Sequence, residues 1–324
     1  MRRRDVTFAF LAGAVWPMRV RAQAGSQGQR VGFLHPGRSS VASLRALSVR
    51  EGLVAEAGRG AALELVTRIA EERTDQLPRM AAELMGLGVQ AIVAVSPSAV
   101  HAAQAVTKDV PIIAVDLESD PVGSGWAASL GRPGGNVTGI FLDLPELGAK
   151  CLQLLREIMP ELATLGVLWD PATGSVPLEA LSRVTAALGL AIQVREVTRA
   201  AEFEDRLRAL AQGQRTGLLL LPSPLMSGNL QLLAELTLAL RLPTITLFPD
   251  FAQRGGLVAY GPDLQALFRQ AGAVTHKILA GANPAELPIE RPARFQLAVN
   301  LKTALAVGIV VPTSVLLLAD EVIE

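Results

Sequence analysis

The sequence predicts an α/β protein made of two doubly wound, parallel-sheet lobes joined by a multi-strand hinge, and three observations carry that prediction. Apolar runs too short for helices alternate with longer stretches of helical spacing, and this plan occurs twice along the chain. Strands joined through helices need crossover connections, hence parallel sheets covered on both faces. Glycine-rich stretches at 131–139 and 255–261 interrupt the plan and suit crossings from one lobe to the other. With 324 residues and 50% hydrophobic content, the chain can bury two cores of ordinary size.

Residues 31–34 read as the first strand. Ser39 and Ser40 offer an N-cap for a helix to about residue 57, and 62–66 is the second strand. Thr74-Asp75 then caps a helix on which Leu77, Met80, Ala81, Leu84 and Leu87 recur at helical spacing until Gly88 stops it. The third strand is 91–95. Ser96-Pro97-Ser98 opens the helix 99–106, and the apolar run 110–115 is the fourth strand, ending where Asp116 emerges. In the second half, helix 146–159 leads to strands 165–169, 190–194, 217–221 and 244–247, separated by helices 177–188, 202–211 and 229–240. Helix 263–280, strand 295–299 and a short helix 301–307 follow. Residues 25–139 with 261–296 are expected to form one lobe, and 140–260 with 297–324 the other.

The first 24 residues combine the basic start Met1-Arg2-Arg3-Arg4-Asp5, the apolar stretch 6–18 and the small-residue site Arg21-Ala22-Gln23-Ala24. That is the pattern of a secretory signal peptide, too short to span a membrane comfortably. The remainder holds 25 basic and 29 acidic residues with no basic run, so the electrostatic footprint of a nucleic-acid binder is missing. Cys151 is the single cysteine, which excludes an internal disulfide and a cysteine metal site. It lines up with Leu147, Leu154, Leu155 and Ile158 on one helix face, as a small core hydrophobe does.

In parallel sheets of this kind, ligands bind beyond the carboxyl ends of strands. That rule selects His35, Ser96, Ser98 and Asp116 in the first half, and Trp169, Asp170, Ser223, Phe248 and Asp250 in the second. Ser96 and Ser98 combine hydroxyls with the free N–H groups of a helix start, which suits a carboxylate, although one of them can equally serve only as an N-cap. Asp116, Asp170 and Asp250 can each take an ammonium group or act as turn residues, and about one of the three is expected to touch ligand. Trp169 and Phe248 can stack on an apolar substrate or pack in the core, and for Tyr260 the core reading is preferred. No zinc-protease, CxxC, nucleophile-elbow or Walker motif occurs, and His101 and His276 fall within helices. The run 123–128 imitates half of a dinucleotide fingerprint but follows the fourth strand rather than the first. No cofactor or metal is called for.

The order of features resembles the ABC transporter substrate-binding proteins often labelled tryptophan/tyrosine-type. The resemblance spans nearly the whole chain. It is carried by the basic start, by Asp120-Pro121-Val122-Gly123, Ala128-Ser129-Leu130 and Arg132-Pro133-Gly134-Gly135-Asn136-Val137-Thr138-Gly139, and by Gly255-Gly256-Leu257 with Tyr260-Gly261-Pro262-Asp263-Leu264. The closing Asn300-Leu301-Lys302-Thr303-Ala304, Val311-Pro312 and Ala319-Asp320-Glu321-Val322-Ile323 match as well. The resemblance implies a type I periplasmic binding fold with three hinge strands and a monomeric, non-enzymatic periplasmic receptor. Such a receptor closes on a small molecule and presents it to an inner-membrane ABC permease. It further implies that Ser96 and Ser98 hold a carboxylate, Asp116 or Asp250 an ammonium, and Trp169 or Phe248 the side chain of an amino acid or aromatic compound. Trp169-Asp170-Pro171 stands where many relatives carry an Asn. The alternatives are a two-lobe periplasmic enzyme such as a racemase or hydrolase, with His35 and the aspartates as acid and base, and a sugar-repressor-like regulator. The latter needs a DNA-binding helix pair where the export signal stands.

Overall fold

Each apolar run becomes a strand because its side chains are buried on both sides of a sheet, and each helical stretch becomes a cover for one face. The computed structural model describes residues 28–58 and 62–324; the signal peptide read at 1–24 lies outside the described residues. The first sheet uses β1 (Gln29–His35), β2 (Leu63–Ile69), β3 (Ala91–Val95), β4 (Ile112–Asp116) and β5 (Val137–Phe141). Between them run α1 (Ser39–Ala57), α2 (Leu77–Gly86) and α3 (Ser96–Val106). The strand order is β2-β1-β3-β4-β5, parallel throughout. Along β1 and β3 alternate side chains part to opposite faces: Val31, Phe33, Ala91 and Val93 join one core cluster, Leu34, Ile92 and Ala94 another.

The chain then builds α4 (Leu144–Ile158), β6 (Thr164–Trp169), α5 (Val176–Ala187), β7 (Ala191–Glu196), α6 (Phe203–Ala211) and β8 (Thr216–Leu220). It continues through α7 (Pro224–Gly228), α8 (Leu230–Ala239), β9 (Thr244–Thr246), α9 (Asp250–Gln253), β10 (Val258–Pro262) and α10 (Leu264–Leu279). It ends with β11 (Phe295–Asn300), α11 (Leu301–Val307), α12 (Thr313–Leu318) and β12 (Glu321–Ile323). The second sheet has the order β12-β11-β10-β9-β8-β6-β7. One expectation is corrected here: β10 and β11 run antiparallel, paired from Val258 with Val299 to Pro262 with Phe295. The chain leaves this sheet after Pro262, lays α10 along the first sheet and α1, and returns from the same side at Phe295. A strand that re-enters where its neighbour left must run the other way.

The glycine-rich stretches lead into strands whose ends the chain leaves for the other sheet, after Phe141 and after Pro262. Residues 137–139 lie inside β5, and 258–261 inside β10. Gly139 has φ +142°, and a Cβ there would meet the Ala114 carbonyl oxygen at 2.0 Å, so the glycine serves a close strand approach rather than a turn. α1 and α10 cross almost backbone to backbone: a Cβ on Gly52 would lie 2.0 Å from the Arg269 carbonyl oxygen, and one on Gly272 2.2 Å from that of Val49. Cys151 is fully buried, as its helical alignment predicts, and burial pushes its thiol up to about 12. Among the described residues no helix is long and apolar enough to cross a membrane, and no cluster of three His, Cys, Asp or Glu could hold a metal ion.

Candidate functional site

The carboxyl ends of β1, β3 and β4 form one rim of a crevice, and those of β6, β8 and β9 form the other. On the first rim, His35 closes β1 and is fully buried, stacked on Phe33 with ring centroids 5.9 Å apart. Burial, reinforced by the nearby Arg45 cation, holds its imidazole well below the usual histidine range, so it is neutral. Ser96 opens α3 with φ +73°, a left-handed conformation uncommon for a non-glycine residue, and its Oγ lies 3.1 Å from that of Ser98. Asp116, fully buried at the end of β4, accepts from the N–H groups of Glu118 (2.8 Å) and Ser119 (3.1 Å) and from the Ser119 hydroxyl. Burial raises its pKa against those hydrogen bonds.

Two charged residues of this rim are absent from the sequence-derived set. Arg45 lies in the middle of α1 and is only 8% exposed. Its Nη1 is 2.9 Å from His35 Nε2, its guanidinium sits 5.4 Å from the centroid of the Phe268 ring, and its Nε is buried without a hydrogen-bond partner. The signal for it was present: the buried positions of α1 include Ala42, Arg45, Ala46, Val49 and Leu53, so the arginine occupies a core position of the helical repeat. Glu118 stands two residues beyond β4, buried, with one carboxylate oxygen accepting from the Leu117 N–H at 3.1 Å. Burial first, and then the Asp116 carboxylate beside it, raise its pKa well above the ordinary glutamate value.

The second rim is wired differently. Trp169 packs against the main core cluster, and its Nε1 donates to the Gly174 carbonyl at 3.0 Å. Asp170 accepts from the Ala172 N–H at 3.0 Å; burial raises its pKa, opposed by that N–H and by the Ser223 hydroxyl. Ser223 caps α7 by accepting from the Met226 N–H at 3.1 Å. Phe248 is buried, while Asp250 starts α9 at the surface. Across the crevice, Arg45 and Glu118 line one central cavity with Ser223, Pro224 and Phe248. That cavity measures about 10 Å³, so the two rims are in contact there. On the Arg45 side lies a groove of about 460 Å³ between α1 and the Phe248–Arg254 segment, which includes Asp250; on the Glu118 side lies a pocket of about 250 Å³ beside the β5 exit. The structure thus brings His35, Ser223 and Phe248 to Arg45 and its surroundings, places Asp250 at the groove, and leaves Trp169 half-buried and bonded to Gly174 of its own lobe. At the crevice edge, Asn229 Nδ2 donates to Glu72 Oε1 at 3.2 Å, joining the two rims.

Two open α/β sheets facing each other across a crevice at their carboxyl ends define a type I periplasmic binding fold, and similar solved structures share it. The family described as ABC transporter substrate binding protein matches residues 45–323, and the chain belongs to that family. Among its relatives is a tyrosine-binding protein of Clostridioides difficile (strain R20291), 23% identical over 216 residues. That match covers 65% of this chain and 61% of the relative, so the chain spans about six-tenths of that relative's length. An ABC domain in complex with L-Trp from Streptococcus pneumonia superposes with a TM-score of 0.83 at 21% identity, over 91% of this chain and 100% of that one. A conserved domain protein from Vibrio cholerae gives the same TM-score, identity and coverage.

Proposed function

We propose that this protein is the periplasmic, solute-capturing component of an ABC importer, and that it binds an amino acid or aromatic compound between its lobes. The observation that carries this reading is the central cavity lined jointly by Arg45 and Glu118 from one sheet and by Ser223 and Phe248 from the other. A ligand held there touches both lobes only when they are together, so binding shifts a hinge equilibrium toward the closed form. With about 10 Å³ left at the centre, the lobes must part to admit anything larger than water. The hinge is made by the chain passages after Phe141, after Pro262 and before Phe295, dividing the lobes near 25–139 with 261–296 and 140–260 with 297–324. Ser96 and Ser98 at the start of α3 offer their hydroxyls to the ligand's polar end, Asp116 or Asp250 receives an ammonium, and Phe248 flanks the apolar part. The tyrosine-binding relative and the L-Trp complex support an aromatic amino acid as cargo. The export pattern at 1–24 supports a periplasmic location, and the family supports an inner-membrane permease as partner. With Arg45 facing one ring nitrogen of His35 and the Gly37 N–H the other, neither is free for proton transfer, which favours binding without turnover.

The test is calorimetry and thermal unfolding with L-tryptophan, L-tyrosine and a panel of other amino acids. A ligand that binds the native state alone stabilises it by about 2.7 kcal/mol at a hundredfold excess over Kd. Small-angle scattering of the same mixtures is expected to report a more compact particle. A panel that neither stabilises nor compacts the protein refutes the reading.

A further inference from the structure

We propose that Arg45 is the anion-binding residue of the interlobe cleft, and that the cargo is an organic acid whose carboxylate reaches this guanidinium. The proposal rests on the receptor reading above and adds to it a residue outside the strand-end set. Three observations converge on it. First, Arg45 is only 8% exposed, and no carboxylate stands within 4.0 Å of it among the described residues. A buried cation left unpaired is unfavourable and is met in proteins by an ion partner or a ligand. Its pKa, lowered by burial to about 10, still leaves it charged at neutral pH.

Second, its hydrogen-bonding capacity is underused. Nε is buried without an acceptor. Nη1 faces His35 Nε2 at 2.9 Å, yet the Gly37 N–H faces His35 Nδ1, also at 2.9 Å. A neutral imidazole has one acceptor nitrogen, so it cannot serve both donors, and the guanidinium is short of acceptors on that side too. A carboxylate supplies two acceptor oxygens in the planar spacing a guanidinium fits. Third, Arg45 borders open space between the lobes. It lines both the central cavity and the neighbouring groove of about 460 Å³, with the Phe268 ring beneath the guanidinium and Phe248 on the opposite lobe. Glu118 and Asp250 are near enough to favour its charge, but neither forms an ion pair with it.

The carboxylate can be the α-carboxylate of an amino acid or an acid group on a side chain or diacid, and the experiment separates these. Wild-type protein, Arg45→Met and Arg45→Lys are titrated by calorimetry and thermal unfolding with matched pairs: L-tryptophan and L-tryptophanamide, L-tyrosine and L-tyrosinamide, L-glutamate and L-glutamine, succinate and succinamide. For wild type, at least one acid is expected to bind about a hundredfold more tightly than its amide, the loss typical when one partner of a buried charge pair is removed. Discrimination within the aromatic pairs assigns the α-carboxylate; discrimination confined to glutamate or succinate assigns a side-chain acid. Arg45→Met is expected to keep or raise the unliganded melting temperature, because a buried unpaired charge has been removed, while losing the ligand-induced shift; Arg45→Lys retains part of that shift. A merely structural arginine gives the reverse, a lower melting temperature with ligand response intact, and overturns the proposal. Amides that bind as well as acids overturn the role of Arg45 and leave the receptor reading standing. Silence of wild type toward every compound overturns both.

Discussion

The two rims of the cleft are built from the same strand-end geometry but are wired in opposite ways. On the second lobe, the polar groups answer to their own chain: Ser223 caps α7, Asp170 accepts from Ala172, and the Trp169 ring nitrogen donates to Gly174. On the first lobe, His35, Arg45, Asp116 and Glu118 are buried together, with Arg45 Nε left unpartnered and the two carboxylates pushed toward their neutral forms. A rim that satisfies itself can open and shut without changing its internal hydrogen bonds. A rim that does not is poised to exchange partners when a charged molecule arrives. Buried, incompletely paired charge is therefore concentrated on the first lobe, while the second brings the buried Phe248 ring to the central cavity.

The largest expected effects test whether the two rims are alike in packing while differing in charge. Phe268→Ala on the first lobe and Phe248→Ala on the second should each cost about 4 kcal/mol in urea denaturation, since both rings are buried. Clearly unequal losses would show that the asymmetry extends to the apolar framework. Next comes Gly52→Ala, expected to destabilise by about 3 kcal/mol because its methyl group would drive α1 away from the Arg269 carbonyl. Since α1 carries Arg45 and α10 carries Phe268, ligand affinity should fall along with the urea midpoint.

A pH experiment addresses the first rim directly. Glu118 has a folded-state pKa raised above its ordinary 4.5, so the folded protein binds more protons than the unfolded chain between those two values. Its contribution to stability is fully present below about pH 4.5 and is lost as pH rises through the folded pKa. Glu118→Gln should therefore match wild type in acid and become progressively more stable than it as pH rises, read by denaturation at a series of pH values. His35 acts with the opposite sign: its depressed pKa contributes stability present above the ordinary value of 6.5 and lost as pH falls. A Glu118→Gln curve parallel to wild type would break the picture of a strained acidic pair. The smallest effect belongs to the self-satisfied rim. Ser223→Ala should lower stability by about 1 kcal/mol, the worth of one helix cap. A loss several times larger would mean that this rim, too, depends on its polar groups.

Much of the fold was legible because its signals are local. Apolar runs bounded by glycine and proline marked the strands, the Ser39 helix reached Ala57 as read, although Arg38 and not a serine side chain stands at its N-cap, and the 301–307 helix stands where it was read. The glycine clusters stood next to the passages between sheets, but glycine has two uses, turning the chain and admitting a close neighbour, and at Gly139 the neighbour was a nearby strand. The strand-end rule led to His35, Asp116 and Ser223, whose places follow from where each strand stops. It missed Arg45, which lies inside a helix, and Glu118, although that residue stands two positions past the end of its strand.

By itself, then, the amino-acid order determined the alternation of strands and helices, the parallel character of most of the two sheets, and the polar residues set at strand ends, because periodicity and capping act over a few residues. Only the tertiary structure decided that β10 and β11 run antiparallel, that α10 returns to cover α1, and that Arg45 is thereby enclosed beside Phe268 with Glu118 and Phe248 across the cavity. Burial and the electrostatics that follow from it depend on which distant segment closes over a residue. For Arg45 that segment lies more than 200 residues along the chain.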